Sequence, residues 1–214
     1  MPSQQNPPNS FKIFNRDLDE DTASSFSRAK YLAIDTEAMG LIHGRDRLCL
    51  IQLCDEKDNV ACVKIETNQK SSPRVKLLLE EPSIEKIFHF ARFDVAALAS
   101  NLNIDVNTIF CTKIASKIAR TYSPRHGLKE VIHELIGVEL DKQAQSSDWG
   151  QINALTEQQL AYAANDVRYL IEAKQKLTTM LKREDRWDLA NKCFQCISVI
   201  SELDRRRFTN IFEH

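Results

Sequence analysis

Short apolar bursts fill the first half of the chain, and helical periodicity fills the second. Arg47 to Cys54 and Asn59 to Ile65 are strand-like runs joined by the polar turn Asp55-Glu56-Lys57-Asp58. With Tyr31 to Asp35, a run that breaks at Met39-Gly40, they predict a three-stranded meander. Phe11 to Phe14 fits a short edge strand, and Asp17 to Lys30 a loop with a short helix. Ser72-Pro73 reads as N-cap and first helical residue of a helix running to about Glu80. Ile84 to Phe90 predicts a further strand, with a helix from Phe93 to Leu102 and a short strand from Thr108 to Phe110.

Helical spacing then covers Thr112–Arg120 and Leu128–Ile136. Thr156 and Gln159 have capping-box spacing, and the stripe Leu160, Ala163, Val167 and Leu170 opens a long helix expected to reach Lys182. A last amphipathic helix is expected after Asp185. Strands first, then alternation, then helices imply an α/β fold, a mixed sheet flanked by helices in one domain over residues 11–214. Residues 1–10, polar and rich in Pro and Asn, are expected to be a disordered lead-in.

Composition narrows the function class. The 214 residues are 43% apolar and 28% charged, ordinary for a globular protein. No apolar run is long enough to span a bilayer and the N-terminus lacks the features of a signal peptide, so cytoplasmic residence is expected. A net charge of −1 argues against coating long polyanions and for a short substrate or a local basic patch. Such a patch exists: no acidic residue lies between Val106 and Lys129, a stretch holding Lys113, Lys117, Arg120 and Arg125. Cys49, Cys54, Cys62 and Cys111 read as small buried hydrophobes. Cys193-Phe194-Gln195-Cys196 lacks the second pair that a zinc site needs.

Five polar residues stand apart. Asp35 and Glu37, two apart on a strand, project from one face. Asp94 falls in the first turn of the helix after the strand ending at His89. Tyr162 and Asp166, four apart on a helix, share a face beside the apolar stripe. Four carboxylates on one spot repel each other and call for a cation, and all-oxygen donors suit Mg²⁺ or Mn²⁺.

The segments Asp35-Thr36-Glu37, His89-Phe90-Ala91-Arg92-Phe93-Asp94 and Tyr162-Ala163-Ala164-Asn165-Asp166 together resemble the DEDD superfamily of 3′–5′ exonucleases, in the subgroup with Tyr four before the last Asp. Leu48-Cys49-Leu50-Ile51-Gln52-Leu53 and Ser147-Asp148-Trp149 are similar to ribonuclease D. Lys86-Ile87-Phe88-His89-Phe90, Arg125-His126-Gly127-Leu128-Lys129 and Gln145-Ser146-Ser147-Asp148-Trp149 narrow the resemblance to the small bacterial nano-RNase C proteins. The helical domains that follow the nuclease domain in full-length ribonuclease D are expected to be absent. Asn153-Ala154-Leu155 stands near the place of that family's Arg-Pro-Leu stretch.

The resemblance implies an RNase H-like fold and two Mg²⁺ or Mn²⁺ ions about 4 Å apart, held by Asp35, Glu37, Asp94 and Asp166. It also implies a Tyr162 hydroxyl that orients the attacking water or helps remove its proton, with nucleoside 5′-monophosphates as products. The implied substrate is very short RNA, dinucleotides above all, and the implied assembly a homo-oligomer, ring-shaped and octameric in that subgroup. Leu41, able to wedge between bases, with His89, Arg120, Arg125, His126 and Lys129, completes the expected substrate-binding set. Two other readings keep part of this picture: 3′ trimming of longer RNA or of DNA, and a nuclease-like domain that only binds nucleic acid. The second requires a broken metal site, whereas all five positions are intact.

Overall fold

Leu48 to Asp55 forms a strand with all eight residues buried, and this strand organises the fold. A run without polar alternation needs cover on both faces and neighbours on both edges. The structure, a computed structural model, describes residues 10–140 and 148–211. The expected lead-in therefore lies, apart from Ser10, outside the described residues, as do Gln145 to Ser147.

Among the described residues six strands form one mixed sheet: β1 (Lys12–Asn15), β2 (Tyr31–Ala38), β3 (Leu48–Asp55), β4 (Val60–Lys64), β5 (Glu85–Phe88) and β6 (Ile109–Cys111), in the order β1-β4-β3-β2-β5-β6. The antiparallel meander β2-β3-β4 is the one read from the sequence. Parallel pairing adds β5 to β2, β6 to β5, and β1 to β4. Asp35 stands opposite Gln52 and Glu37 opposite Leu50, and the register shifts between Glu37 and Ala38.

Helices clothe the sheet: α1 (Glu20–Phe26), α2 (Pro73–Glu80), α3 (Ala91–Leu102), α4 (Thr112–Ala119), α5 (Leu128–Ile136), α6 (Glu157–Arg168), α7 (Leu170–Arg183), α8 (Trp187–Gln195) and α9 (Ile197–Arg205). The capping box at Thr156 forms: the Gln159 amide donates to Thr156 Oγ1, and the Thr156 amide to Gln159 Oε1. At α2 Ser72 is the N-cap and Pro73 opens the helix, as expected, but the Ser72 side chain does not itself cap the amides. The Ser72 hydroxyl donates to Asp17, whose carboxylate accepts from the backbone amides of Arg74 and Val75. A residue remote in sequence thus satisfies the open amides of this helix.

The long helix expected to reach Lys182 is two helices, because Tyr169 (φ −98°, ψ −3°) interrupts it. Strands in a twisted sheet change direction from one to the next. Breaking at Tyr169 lets α6 cover β2, β3 and β4 while α7 turns toward β2, β5 and α4. The last helix is likewise split, at Cys196. All six cysteines are free, with Cys49, Cys54, Cys62 and Cys111 buried as expected. No helix among the described residues is long and apolar enough to cross a membrane.

Candidate active site

β2 turns Asp35 and Glu37 toward α6, where Asp166 and Tyr162 sit one helical turn apart. Asp35, Glu37 and Asp166 each bring an oxygen within 4.8 Å of the others. Asp94 arrives from the first turn of α3 and is 3% exposed. It stands outside that triad: its Oδ1 accepts from Thr36 Oγ1 at 2.7 Å. Its charge still acts on Asp35 and Glu37.

The electrostatics show what four neighbouring acids cost. Burial first, then the charges of Asp94, Glu37 and Asp166, hold Asp35 well above the usual carboxylate range. Burial, then Asp166 and Asp94, pushes Glu37 up to about 8. Burial raises Asp94 to about 7 against the hydrogen bond from Thr36, and Asp166 to about 7 against the one from Tyr162. Burial and the Asp166 carboxylate raise the Tyr162 phenol, so it stays protonated. An all-oxygen set that cannot stay ionised by itself fits hard divalent cations.

Asp35, Glu37 and Asp166 line a cavity of about 330 Å³ shared with His89, Lys113 and Lys129. Phe90 adopts a left-handed conformation (φ 74°) between β5 and α3, a costly geometry for a bulky residue that makes the tight turn after His89. The His89 Nδ1 lies 2.9 Å from Thr112 Oγ1, and its Nε2 is buried without a partner among the described residues. Burial, reinforced by Lys113, lowers the imidazole to about 3, so it is neutral at ordinary pH. The Lys113 Nζ lies 4.3 Å over the Phe90 ring, and the Lys129 Nζ lies 3.7 Å from Glu139.

The remaining expected residues are not gathered here. Leu41, 79% exposed, lines a separate groove with Ile42, His43, Phe93 and Phe208. Arg120, expected on the substrate-facing surface, is fully buried. Its guanidinium is committed to Glu134, Ser116 and the Arg125 carbonyl, leaving no face for a phosphate. Arg125 is exposed, and His126 Nδ1 lies 2.9 Å from Ser116 Oγ; neither lines the acidic cavity. Sequence reasoning missed Thr36 as the donor to Asp94, although its place between the two acids of β2 was visible. It noted Lys113 only as part of the basic stretch.

The 3′-5′ exonuclease family profile matches residues 11–182. Among solved structures, Brucella melitensis NrnC bound to pGG is 42% identical with a TM-score of 0.89, over 96% of this chain and 100% of that one. Brucella melitensis NrnC with bound Mg²⁺ is 40% identical with a TM-score of 0.89, over 96% of this chain and 99% of that one. A ribonuclease D from Sphingobium indicum is 28% identical over 180 residues, 84% of this chain and 46% of its own length. The match thus takes in about half of that relative.

Proposed function

Because the chain belongs to the 3′-5′ exonuclease family, in its ribonuclease D branch and near NrnC, we propose that it is a metal-dependent exoribonuclease acting on very short RNA. Dinucleotides are its preferred substrate in this reading, and nucleoside 5′-monophosphates its products. The observation that carries it is the triad Asp35, Glu37 and Asp166, together with Tyr162, in a cavity whose walls also bear Lys113 and Lys129. Asp35, Glu37 and Asp166, with Asp94 adjoining, would hold a pair of Mg²⁺ or Mn²⁺ ions. When bound, such ions acidify water and neutralise charge developing on a phosphate.

The chain's own groups do the rest. Tyr162, kept protonated and hydrogen-bonded to Asp166, orients the attacking water through its hydroxyl. Lys113 and Lys129 face phosphate oxygens as point charges. His89, neutral, forms part of the cavity wall beside them. The likeness to NrnC bound to pGG favours a short substrate. The net charge of −1 agrees, since affinity for long RNA grows with the number of phosphates neutralised.

Leu41, Ile42, Phe90 and Phe208 expose apolar surface around the neighbouring groove, and Ile211 is exposed as well. That surface supports a homo-oligomer, ring-shaped in this reading, and the cytoplasm is its proposed place of action. Digestion of 5′-labelled RNAs of two to about twenty nucleotides, with Mg²⁺ or Mn²⁺ and with chelator, tests the substrate. Dinucleotides should be cut much faster than seven-nucleotide RNA, and only with metal. Equal rates would replace the short-substrate reading with general 3′ trimming of the ribonuclease D kind.

A further inference from the structure

Gln52 lies midway along β3, wholly buried, and neither oxygen nor nitrogen of its side-chain amide has a hydrogen-bond partner among the described residues. Buried amides are rarely left so, because they give up water and gain nothing in return. A leucine would fill the same space without that cost. The cross-strand register supplies a reason for the amide. Gln52 is paired with Asp35, and directly opposed residues of an antiparallel pair share a face, with Cβ atoms about 4.5–5.5 Å apart. The same face lies under α6, which carries Tyr162 and Asp166.

A neutral donor suits that place. A lysine or arginine beside Asp35 would compete with a cation for the carboxylate. An amide N–H fixes the carboxylate's orientation and leaves its charge available. We propose that Gln52 is a positioning residue: its Nε2, unpartnered in this structure, would donate to Asp35 and hold the carboxylate ready for a divalent cation. The inference rests on the reading of Asp35 as an ion ligand. Groups that orient metal ligands in this way typically change metal affinity by about 10- to 100-fold when removed.

The test uses the full chain with Gln52→Leu and Gln52→Met, both close to glutamine in volume. Three quantities are measured: melting temperature in chelator, Mn²⁺ affinity by calorimetry, and the rate on a dinucleotide across Mn²⁺ concentrations. Both variants should melt at or above wild type in chelator. They should bind Mn²⁺ about 10- to 100-fold more weakly and regain most of their kcat at saturating Mn²⁺. Wild-type Mn²⁺ affinity in either variant, or a melting temperature below wild type in both, would make Gln52 a structural residue and overturn the proposal. Asp35→Asn is run beside them. If it binds Mn²⁺ as tightly as wild type, the failure lies in the ion-ligand reading itself.

Discussion

Tyr162 and Asp35 border the same cavity, yet altering them should cause different failures. Asp35→Asn removes a charge from the carboxylate cluster, so ion binding and turnover should be lost together, with kcat/KM down about 100-fold or more even in saturating Mn²⁺. Tyr162→Phe keeps the ring that packs against Trp149 and deletes only the hydroxyl. Its Mn²⁺ affinity should remain within a few-fold of wild type while kcat drops roughly 100-fold, the scale expected for losing a group that orients or assists proton transfer. Calorimetry beside single-turnover kinetics separates the two. An unchanged rate in Tyr162→Phe would reduce this residue to packing.

Arg120 belongs to the scale of elements, because its guanidinium ties three of them together. It sits at the C-terminal end of α4, donates to the Arg125 carbonyl in the following loop, and pairs with Glu134 of α5. The Tyr122 hydroxyl donates to the same Glu134 carboxylate at 2.7 Å. Glu134 is 39% exposed, so solvent screens part of the pairing, and packing plus lost hydrogen bonds carry the remainder. Arg120→Ala should therefore destabilise the fold by about 2 kcal/mol in urea unfolding. KM for a dinucleotide should hardly change at a temperature where the variant is folded. A KM raised tenfold without loss of stability would return Arg120 to the substrate.

At the scale of the whole molecule, the acid cluster links stability to pH. Glu37, Asp94 and Asp166 have folded-state values of about 8, 7 and 7, above the 4.5, 3.8 and 3.8 of the free groups. With raised values the metal-free folded state binds more protons than the unfolded chain between about pH 4 and 8. The contribution of these groups is complete below about pH 4 and is lost as pH rises through 7 to 8. The melting temperature of metal-free protein should fall by several degrees from pH 5 to pH 8.5, and saturating Mn²⁺ should cancel that fall. A melting temperature in chelator that rises steadily over this range would contradict the raised values. Assembly belongs to the same scale. Light scattering at micromolar concentration should report an oligomer that Leu41→Asp weakens, whereas a fully active monomer would refute the ring.

The sequence by itself determined whatever depends on neighbours a few residues away. The two-residue period of β2 turned Asp35 and Glu37 the same way, the helical period put Tyr162 above Asp166, and Thr156 with Gln159 marked the start of α6. Only tertiary structure decided matters that rest on partners distant along the chain. Asp17 caps α2 from 55 residues before Ser72, and Arg120 is drawn inside by Glu134. Asp94 is turned to Thr36, and Tyr169 breaks a continuous apolar stripe so that two helices can follow a twisted sheet. Gln52 is the sharpest instance. In sequence it is one polar residue in an apolar strand; the β2–β3 register, set by a whole sheet packing its faces, is what stands it beside Asp35.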